Sequence, residues 1–400
     1  MGSIVSLTIG GMEIDWGKNH GYINHSKLFH PKDKTILETD RSEGYDYVVT
    51  GYRRKLKDVI PRLELSGYND KSIKLRFDEH KQFYADFVEP IQLDFDEFKE
   101  AVKNITIIRR PGDDGDDFSY DYDLGEFAGE MLRSPEYLGL AERITSQHYR
   151  TREFLENLDP YIQLWLIASN PQNHDLDLVW HTNEIINGGW TNEQELFVDW
   201  GTSGQFLIIT EGSSDTYIIS EAIALLRPDI KDFFRYIDMT EHYPFTGTGN
   251  LFNFYQGLAR IGIENKCLII FDNDTEGVEK QNKCGAINSP KTLASTTLPS
   301  LQNFETMLTA GPNGEFNSDI NGSAVSIECF LDLSYRCKKP AVVRWTNYNK
   351  SMGRYQGSLD SKEHYITQFR QAIKSGEEYD FTKLELLVAH IVEQCVRMAW

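Results

Sequence analysis

The order of hydrophobic and polar positions changes character near residue 200. Beyond it, short apolar runs alternate with amphipathic stretches. Gln205-Phe-Leu-Ile-Ile-Thr210 reads as a buried strand, passes into Glu-Gly-Ser-Ser-Asp215, and leads to a helical stretch over 216–226 closed by Pro228. A second strand over 234–237 runs through the Gly/Thr-rich segment Thr246-Gly-Thr-Gly249 to a helix over 251–261. A third, Lys266-Cys-Leu-Ile-Ile-Phe271, meets Asp-Asn-Asp-Thr-Glu-Gly277 and a helix over 278–283. Strands alternating with helices imply parallel pairing and right-handed crossovers, hence a Rossmann-like α/β sheet with flanking helices. Helical spacing returns over 362–374 and 382–398.

Before residue 195 the pattern is irregular. Strand-like pieces fall at 3–9, 73–77 and 105–108, and helical ones at 95–103, 125–132, 135–144, 151–158 and 162–168, which together read as α+β. The expected organisation is an α+β domain over 1–195, an α/β domain over 200–345, and a basic, helical extension over 346–400 packed on the latter.

Composition narrows the class. Hydrophobic residues at 40% and aromatics at 12% are enough for packed cores, so disorder fails as a global description. No run approaches the ~20 apolar residues that span a bilayer, so no membrane partner is expected. Gly2 and Ser6 match a myristoylation pattern, but they sit at the start of a strand-like run, and strand is the preferred reading. There is no basic-then-apolar leader. The five cysteines include no CxxC pair, which argues against a zinc site or a disulfide framework and for reduced cytoplasmic thiols. The acidic segment 111–123 lacks the ligand spacing of an EF-hand and reads as a solvated loop.

The net charge of −20 would by itself repel nucleic acid. Its distribution changes that picture, because residues 336–374 carry nine cations against only Asp360 and Glu363, a local +7. Lys338, Lys339, Arg344, Lys350 and Arg354 are the expected nucleic-acid contacts. Tyr335, Trp345, Tyr348, Tyr355, Tyr365 and Phe369, interleaved with them, offer stacking faces or core.

The sharpest candidate chemistry lies at two strand ends. Ligands of an open α/β sheet bind outside the carboxyl ends of its strands. Glu211 and Asp215 follow the first strand, and Asp272, Asp274 and Glu276 follow the third. On neighbouring parallel strands these carboxylates would share one rim, within reach of one or two Mg2+ or Mn2+ ions. Without metal they would repel one another. Asp272 and Asp274 also suit a helix cap, and Glu276 a first-turn position favoured by the helix dipole.

These paired motifs, Phe206-Leu-Ile-Ile-Thr-Glu211-Gly-Ser-Ser-Asp215 and Leu268-Ile-Ile-Phe-Asp272-Asn-Asp274-Thr-Glu-Gly277, resemble the Toprim fold of topoisomerases, primases and OLD-family nucleases. The Glu211-x3-Asp215 spacing is closer to the nuclease branch. The resemblance implies Glu211 as general acid/base or metal ligand, Asp272 and Asp274 as principal ligands, and Asp215 toward a second ion. Glu328 resembles a later acidic ligand of nuclease Toprims, or solvates a helix. Lys362 is the candidate cation that stabilises phosphate charge in the transition state. The opening Met1-Gly-Ser-Ile-Val-Ser-Leu-Thr-Ile-Gly-Gly with Lys18-Asn19 makes the whole chain similar to bacterial proteins with a HEPN/Toprim-associated N-terminal domain, accessory modules of antiphage or toxin-like effectors.

The resulting expectation is a metal-dependent nuclease, the effector of a bacterial antiphage system, acting on DNA or RNA, with room for a protein trigger and for homo-oligomers. Arg143-Ile-Thr-Ser-Gln-His148 has the R-x4-H spacing of HEPN ribonucleases, which chance also supplies. Two alternatives stay open: a non-catalytic nucleic-acid-binding sensor, and a haloacid-dehalogenase-like phosphatase with Asp272 as nucleophile. The cysteine spacing offers no zinc module for a primase, and the chain is short for a topoisomerase.

Overall fold

Apolar residues at alternate positions of β1 (Ile4–Ile9) bury Val5, Leu7 and Ile9 against one face of a sheet. That strand belongs to the first of two compact units, Met1–Trp200 and Gly201–Trp400. The computed structural model describes residues 2–40, 47–87, 91–108, 126–134, 148–198, 204–237 and 247–399. With β2 (Met12–Lys18), β3 (Lys34–Asp40), β4 (Tyr47–Lys55) and β5 (Asp177–His181), β1 forms an antiparallel sheet of order β2-β1-β5-β4-β3. Helices α1 (Leu56–Leu65), α2 (Asp70–Phe87), α3 (Phe95–Val102), α4 (Glu126–Arg133), α5 (His148–Glu156) and α6 (Pro160–Ala168) accompany it. Trp180 of β5 is fully buried, with the rings of Phe29 and Tyr52 at 5.9 and 5.8 Å.

Two sequence expectations are corrected in this unit. Residues 73–77 lie inside helix α2, not a strand. Ile73 and Phe77, both buried, are four residues apart and share one helical face, while Leu75 between them is exposed. Residues 105–108 carry no regular secondary structure and pair with no strand among the described residues. Ile105 and Ile107 are buried, and side-chain amides replace the ladder: Asn170 and Asn173 donate to the Ile105 carbonyl, and the Ile107 N–H donates to Asn173 Oδ1. The acidic segment 111–123, the helix expected over 135–144 and Arg143 lie outside the described residues. His148 opens α5, and its side chain also lies outside them.

In the second unit, β6 (Phe206–Ile209), β7 (Phe234–Tyr236), β8 (Cys267–Phe271) and β10 (Leu293–Thr297) form the expected parallel sheet, in the order β10-β8-β6-β7. All five residues of β8 are buried, which is why it reads as an unbroken apolar run. Helices α7 (Ser213–Leu226), α8 (Thr248–Ile261) and α9 (Thr275–Gly285) connect these strands. Leu251, Tyr255 and Leu258 of α8 pack with Ile209, Ile269 and Phe271.

A second sheet, order β12-β11-β14-β15, follows, made of β11 (Met307–Gly311), β12 (Gly314–Ser318), β14 (Val343–Asn349) and β15 (Arg354–Leu359). The two-residue strands β9 (Asn273–Asp274) and β13 (Ala324–Val325) pair between the sheets. Helices α10 (Lys362–Ser375) and α11 (Thr382–Met398) close the unit. No described helix is long and apolar enough to cross a membrane.

Candidate metal centre

β6 and β8 lie side by side, with Ile209 opposite Ile269, so Glu211 and Asp272 leave the same edge of the sheet. From β6 the chain proceeds to β7 on one flank, and from β8 to β10 on the other. The order therefore reverses between β6 and β8, the position at which α/β sheets bind ligands, and as placed the space lined there by Thr210, Asp215 and Asp272 is too narrow for a water molecule.

Glu211 is fixed at both oxygens: the Thr248 hydroxyl donates to Oε2 at 2.8 Å and the Asp272 N–H to Oε1 at 3.3 Å. Thr248 reaches it because Gly247, at φ +83°, turns the chain into α8. Asp215, in the first turn of α7, accepts the Gly212 N–H at 3.0 Å. Asp274 does cap α9: its Oδ1 accepts the Gly277 N–H at 2.7 Å. Its Oδ2 accepts the Gln356 amide at 2.5 Å, and Gln356 Oε1 in turn accepts the Thr275 N–H at 2.9 Å. Glu276 is exposed on the same helical turn. Asp272 differs from the others, since no described residue donates a hydrogen bond to its carboxylate.

Gly277 lets these pieces approach. A Cβ there would stand 2.0 Å from the Asp272 carbonyl oxygen, so only glycine allows α9 to start this close to the strand end. Glu328, 4% exposed, sits in a short turn over Ile327–Phe330, accepts the Ser326 hydroxyl at 2.7 Å, and pairs with Lys362 at 3.1 Å. A lysine in a helix's first turn opposes the helix dipole, so the Glu328 pair, not the helix, accounts for Lys362's placement.

The electrostatics follow from crowding. Burial pushes the Asp215 carboxyl up to about 7, and Glu328 and Glu211 push the same way. Asp272 is driven well above the ordinary carboxylate range by burial and then by Asp215, Glu211 and Asp274. Glu211 is raised mainly by burial, against its two hydrogen bonds. Burial pulls Lys362 down, but Glu328 and Asp272 outweigh it and hold the ammonium above its usual range. Five acids, Glu211, Asp215, Asp272, Asp274 and Glu328, thus act on one another, with Lys362 the single ammonium among them in the described residues. As placed, no three His, Cys, Asp or Glu side chains among the described residues close on a common point as a finished metal cage. The donor set nevertheless fits a hard divalent cation: it is all oxygen, its charges are under-compensated, and Asp272 is without a donor.

Of the residues expected from sequence, Glu211, Asp215, Asp272, Asp274, Glu328 and Lys362 are therefore brought into one electrostatic neighbourhood. The expected nucleic-acid contacts are more scattered. Arg344 is paired with Asp360 at 2.8 Å, Lys338 and Lys339 line a separate cavity, and Lys350 and Arg354 are exposed at the β14–β15 hairpin. Tyr348 and Tyr355 face each other there, 51% and 56% exposed, whereas Tyr365 and Phe369 are core. Thr248, Gly277, Ser326 and Gln356 were not marked as site residues by the sequence. The Gly/Thr-rich segment before α8 was a signal for the first, and Gly277 closing the acidic turn for the second.

An antiparallel α+β unit followed by a parallel α/β unit with an acidic crevice at its strand reversal defines a two-module chain with one candidate reaction centre. Its first module is assigned by comparison. The chain belongs to the HEPN/Toprim N-terminal domain 1 family, whose model matches residues 1–202 and so ends where the second unit begins. No curated protein and no solved structure matches the chain.

Proposed function

We propose that the second unit is a Toprim-type, Mg2+- or Mn2+-dependent nuclease and that the chain serves as the effector of a bacterial antiphage system. The carrying observation is the crowding of Glu211, Asp215 and Asp272 at the reversal between β6 and β8, opposite only one ammonium among the described residues. Membership in a HEPN/Toprim family supports the same reading. Asp272, Asp274 and Glu211 would hold one ion, and Asp215 with Glu328 a second. A bound ion of this kind supplies Lewis acidity at a phosphoryl oxygen and lowers the pKa of water.

The chain's own groups do the rest. Glu211, raised in pKa yet held by Thr248 and the Asp272 amide, is positioned to carry a proton. The Lys362 ammonium, charged throughout the neutral range, can share itself between Glu328 and a phosphate oxygen as negative charge develops there. Gln356 keeps Asp274 aimed.

The test is cleavage of plasmid DNA, a single-stranded oligonucleotide and bulk tRNA with Mg2+ or Mn2+, using Glu211→Ala and Asp272→Ala as controls. Metal-dependent cutting by the wild type, lost in both variants, supports the assignment. Hydrolysis of p-nitrophenyl phosphate with no polynucleotide cut would transfer it to the phosphatase alternative, and metal-independent binding without any turnover to the sensor.

A further inference from the structure

Away from the acidic crevice, the second unit contains a cavity of about 600 Å³ between β11 and the segment leading to β14. It is a largely open depression, with a volume within the ~300–1,000 Å³ of small-molecule sites. The walls are mixed: Met307 and Leu308 give an apolar side, with Phe304 fully buried, and Lys338, Lys339 and Lys383 a cationic one. Two acids also line it, but both are occupied by the backbone. Asp332 accepts the N–H groups of Ser334, Tyr335 and Asp380, and Asp380 accepts that of Thr382. None of the three lysines lies within ion-pair distance of a carboxylate among the described residues.

Lys383 is the most informative of them. It stands in the first turn of α11, where the helix dipole opposes a cation. It is half-buried, its ammonium donates to the Cys329 carbonyl at 2.6 Å, and it lies 5.9 Å from the centre of the Phe304 ring. Burial pulls its pKa below the ordinary lysine range. Asp332 and Asp380 attract the half-buried ammonium through space, but its one hydrogen-bond partner among the described residues is a carbonyl, which leaves donors for an anion entering the cavity. The exposed amides of Asn303 and Asn317 at the rim have no hydrogen-bond partner among the described residues and suit a polar, planar group.

From this combination of a phosphate-suited cationic wall, an aliphatic wall, and free amides at the rim, we infer that the cavity binds a nucleoside polyphosphate. The phosphates lie against Lys338, Lys339 and Lys383, and the base against Met307 and Leu308. The site is separate from the acidic crevice and does not depend on the nuclease reading. It is nonetheless joined to it, because Lys383 holds the carbonyl of Cys329, the neighbour of Glu328.

The experiment is calorimetric titration of the full chain in excess EDTA with ATP, GTP, CTP and UTP, with adenosine and inorganic tripolyphosphate as separate arms. The lysines to reverse are the two exposed ones, in the double variant Lys338→Glu/Lys339→Glu, with Asp272→Asn as the control that alters only the crevice. Saturable binding of a nucleoside triphosphate, tighter than either fragment, weakened at least about tenfold by the double variant and unchanged in Asp272→Asn, is expected. The proposal is overturned if no triphosphate saturates below about 1 mM, if tripolyphosphate binds as tightly as the nucleotides, or if the lysine reversal leaves affinity intact. Because EDTA removes divalent ions, a failure here leaves the nuclease reading untouched, and an inactive nuclease would not affect the binding result.

Discussion

Replacing Asp272 by asparagine should make the metal-free protein more stable at pH 8, although the side chain lies at the heart of the proposed centre. Among the described residues its carboxylate receives no hydrogen bond, so the isosteric amide loses none, while one of the mutually repelling charges disappears. The size can be bounded from Asp215. Its carboxyl is pushed from 3.8 to about 7 by burial, Glu328 and Glu211. At ~1.36 kcal/mol per pH unit that difference corresponds to about 4 kcal/mol. The penalty belongs to the coupled group and not to one residue, so removing one member should return about 1–3 kcal/mol. For a unit of this size that raises Tm by roughly 3–10 °C. The sign with pH is fixed by linkage. The folded-state pKa values are raised, so the native state holds protons that the unfolded chain has released, and stability falls as pH rises from about 4 through 7. The gain in Asp272→Asn should therefore be full at pH 8, clearly smaller at pH 5, and absent below about pH 4. Added Mn2+ at a hundred times its Kd should stabilise the wild type by about 2.7 kcal/mol and leave the variant unmoved. Calorimetry in EDTA and in Mn2+, at both pH values, decides it. A variant that melts at or below the wild type at pH 8 without metal, or gains equally at pH 5, would refute the reasoning.

Gly277→Ala should abolish Mn2+ binding and cost more than about 2 kcal/mol, because its Cβ meets the Asp272 carbonyl oxygen at 2.0 Å, backbone against backbone; denaturant titration and metal titration check both. Gln356→Ala should lower metal affinity or activity about 10–100-fold while shifting the unfolding midpoint only slightly, since it frees Asp274 without opening the core. Lys362→Met should cost about 3–5 kcal/mol by leaving Glu328 buried and unpaired, and Lys362→Met/Glu328→Gln should recover most of it; full additivity in that double-mutant cycle would show the pair to be uncoupled. Reversing both Lys350 and Arg354 should reduce the slope of log affinity against log salt for an oligonucleotide by about 1.5–2; an unchanged slope would remove the hairpin from the substrate path.

The acidic centre was legible because its two halves are local. Glu211 and Asp272 each end a run of apolar residues that can only be a buried parallel strand, and neighbouring parallel strands bring such ends together whatever the loops do. Its supporting residues were not legible. Gln356 meets Asp274 across 82 residues, from a strand in another sheet, and nothing in the local pattern of β15 distinguishes its amide from any exposed glutamine. The first unit was harder for a related reason. Ile73 and Phe77 fit alternation and helical spacing equally well, and the tie is broken only by what they pack against, Phe77 lying between Phe98 and Phe154. Residues 105–108 show the converse, a correct alternation of burial with its hydrogen bonds drawn from Asn170 and Asn173.

Charge is where counting along the chain and arrangement in space part most clearly. The +7 of residues 336–374 suggests one basic face, yet three of its nine cations are held by carboxylates: Arg336 by Glu377, Arg344 by Asp360 and Lys362 by Glu328. Glu377 and Glu328 lie outside the stretch, so the count that ignored them overstated its free charge. These pairs do not all mean the same thing. The Arg336 and Arg344 pairs are exposed and worth little, so either arginine can leave its partner for a phosphate. The Lys362 pair is different, because Glu328 is buried and cannot be abandoned without a substitute cation. A metal ion at Asp215 and Glu328 would be such a substitute. Loading the centre would then release the ammonium, on this account, so that the cation most closely joined to the carboxylates becomes available to substrate only once the centre is filled.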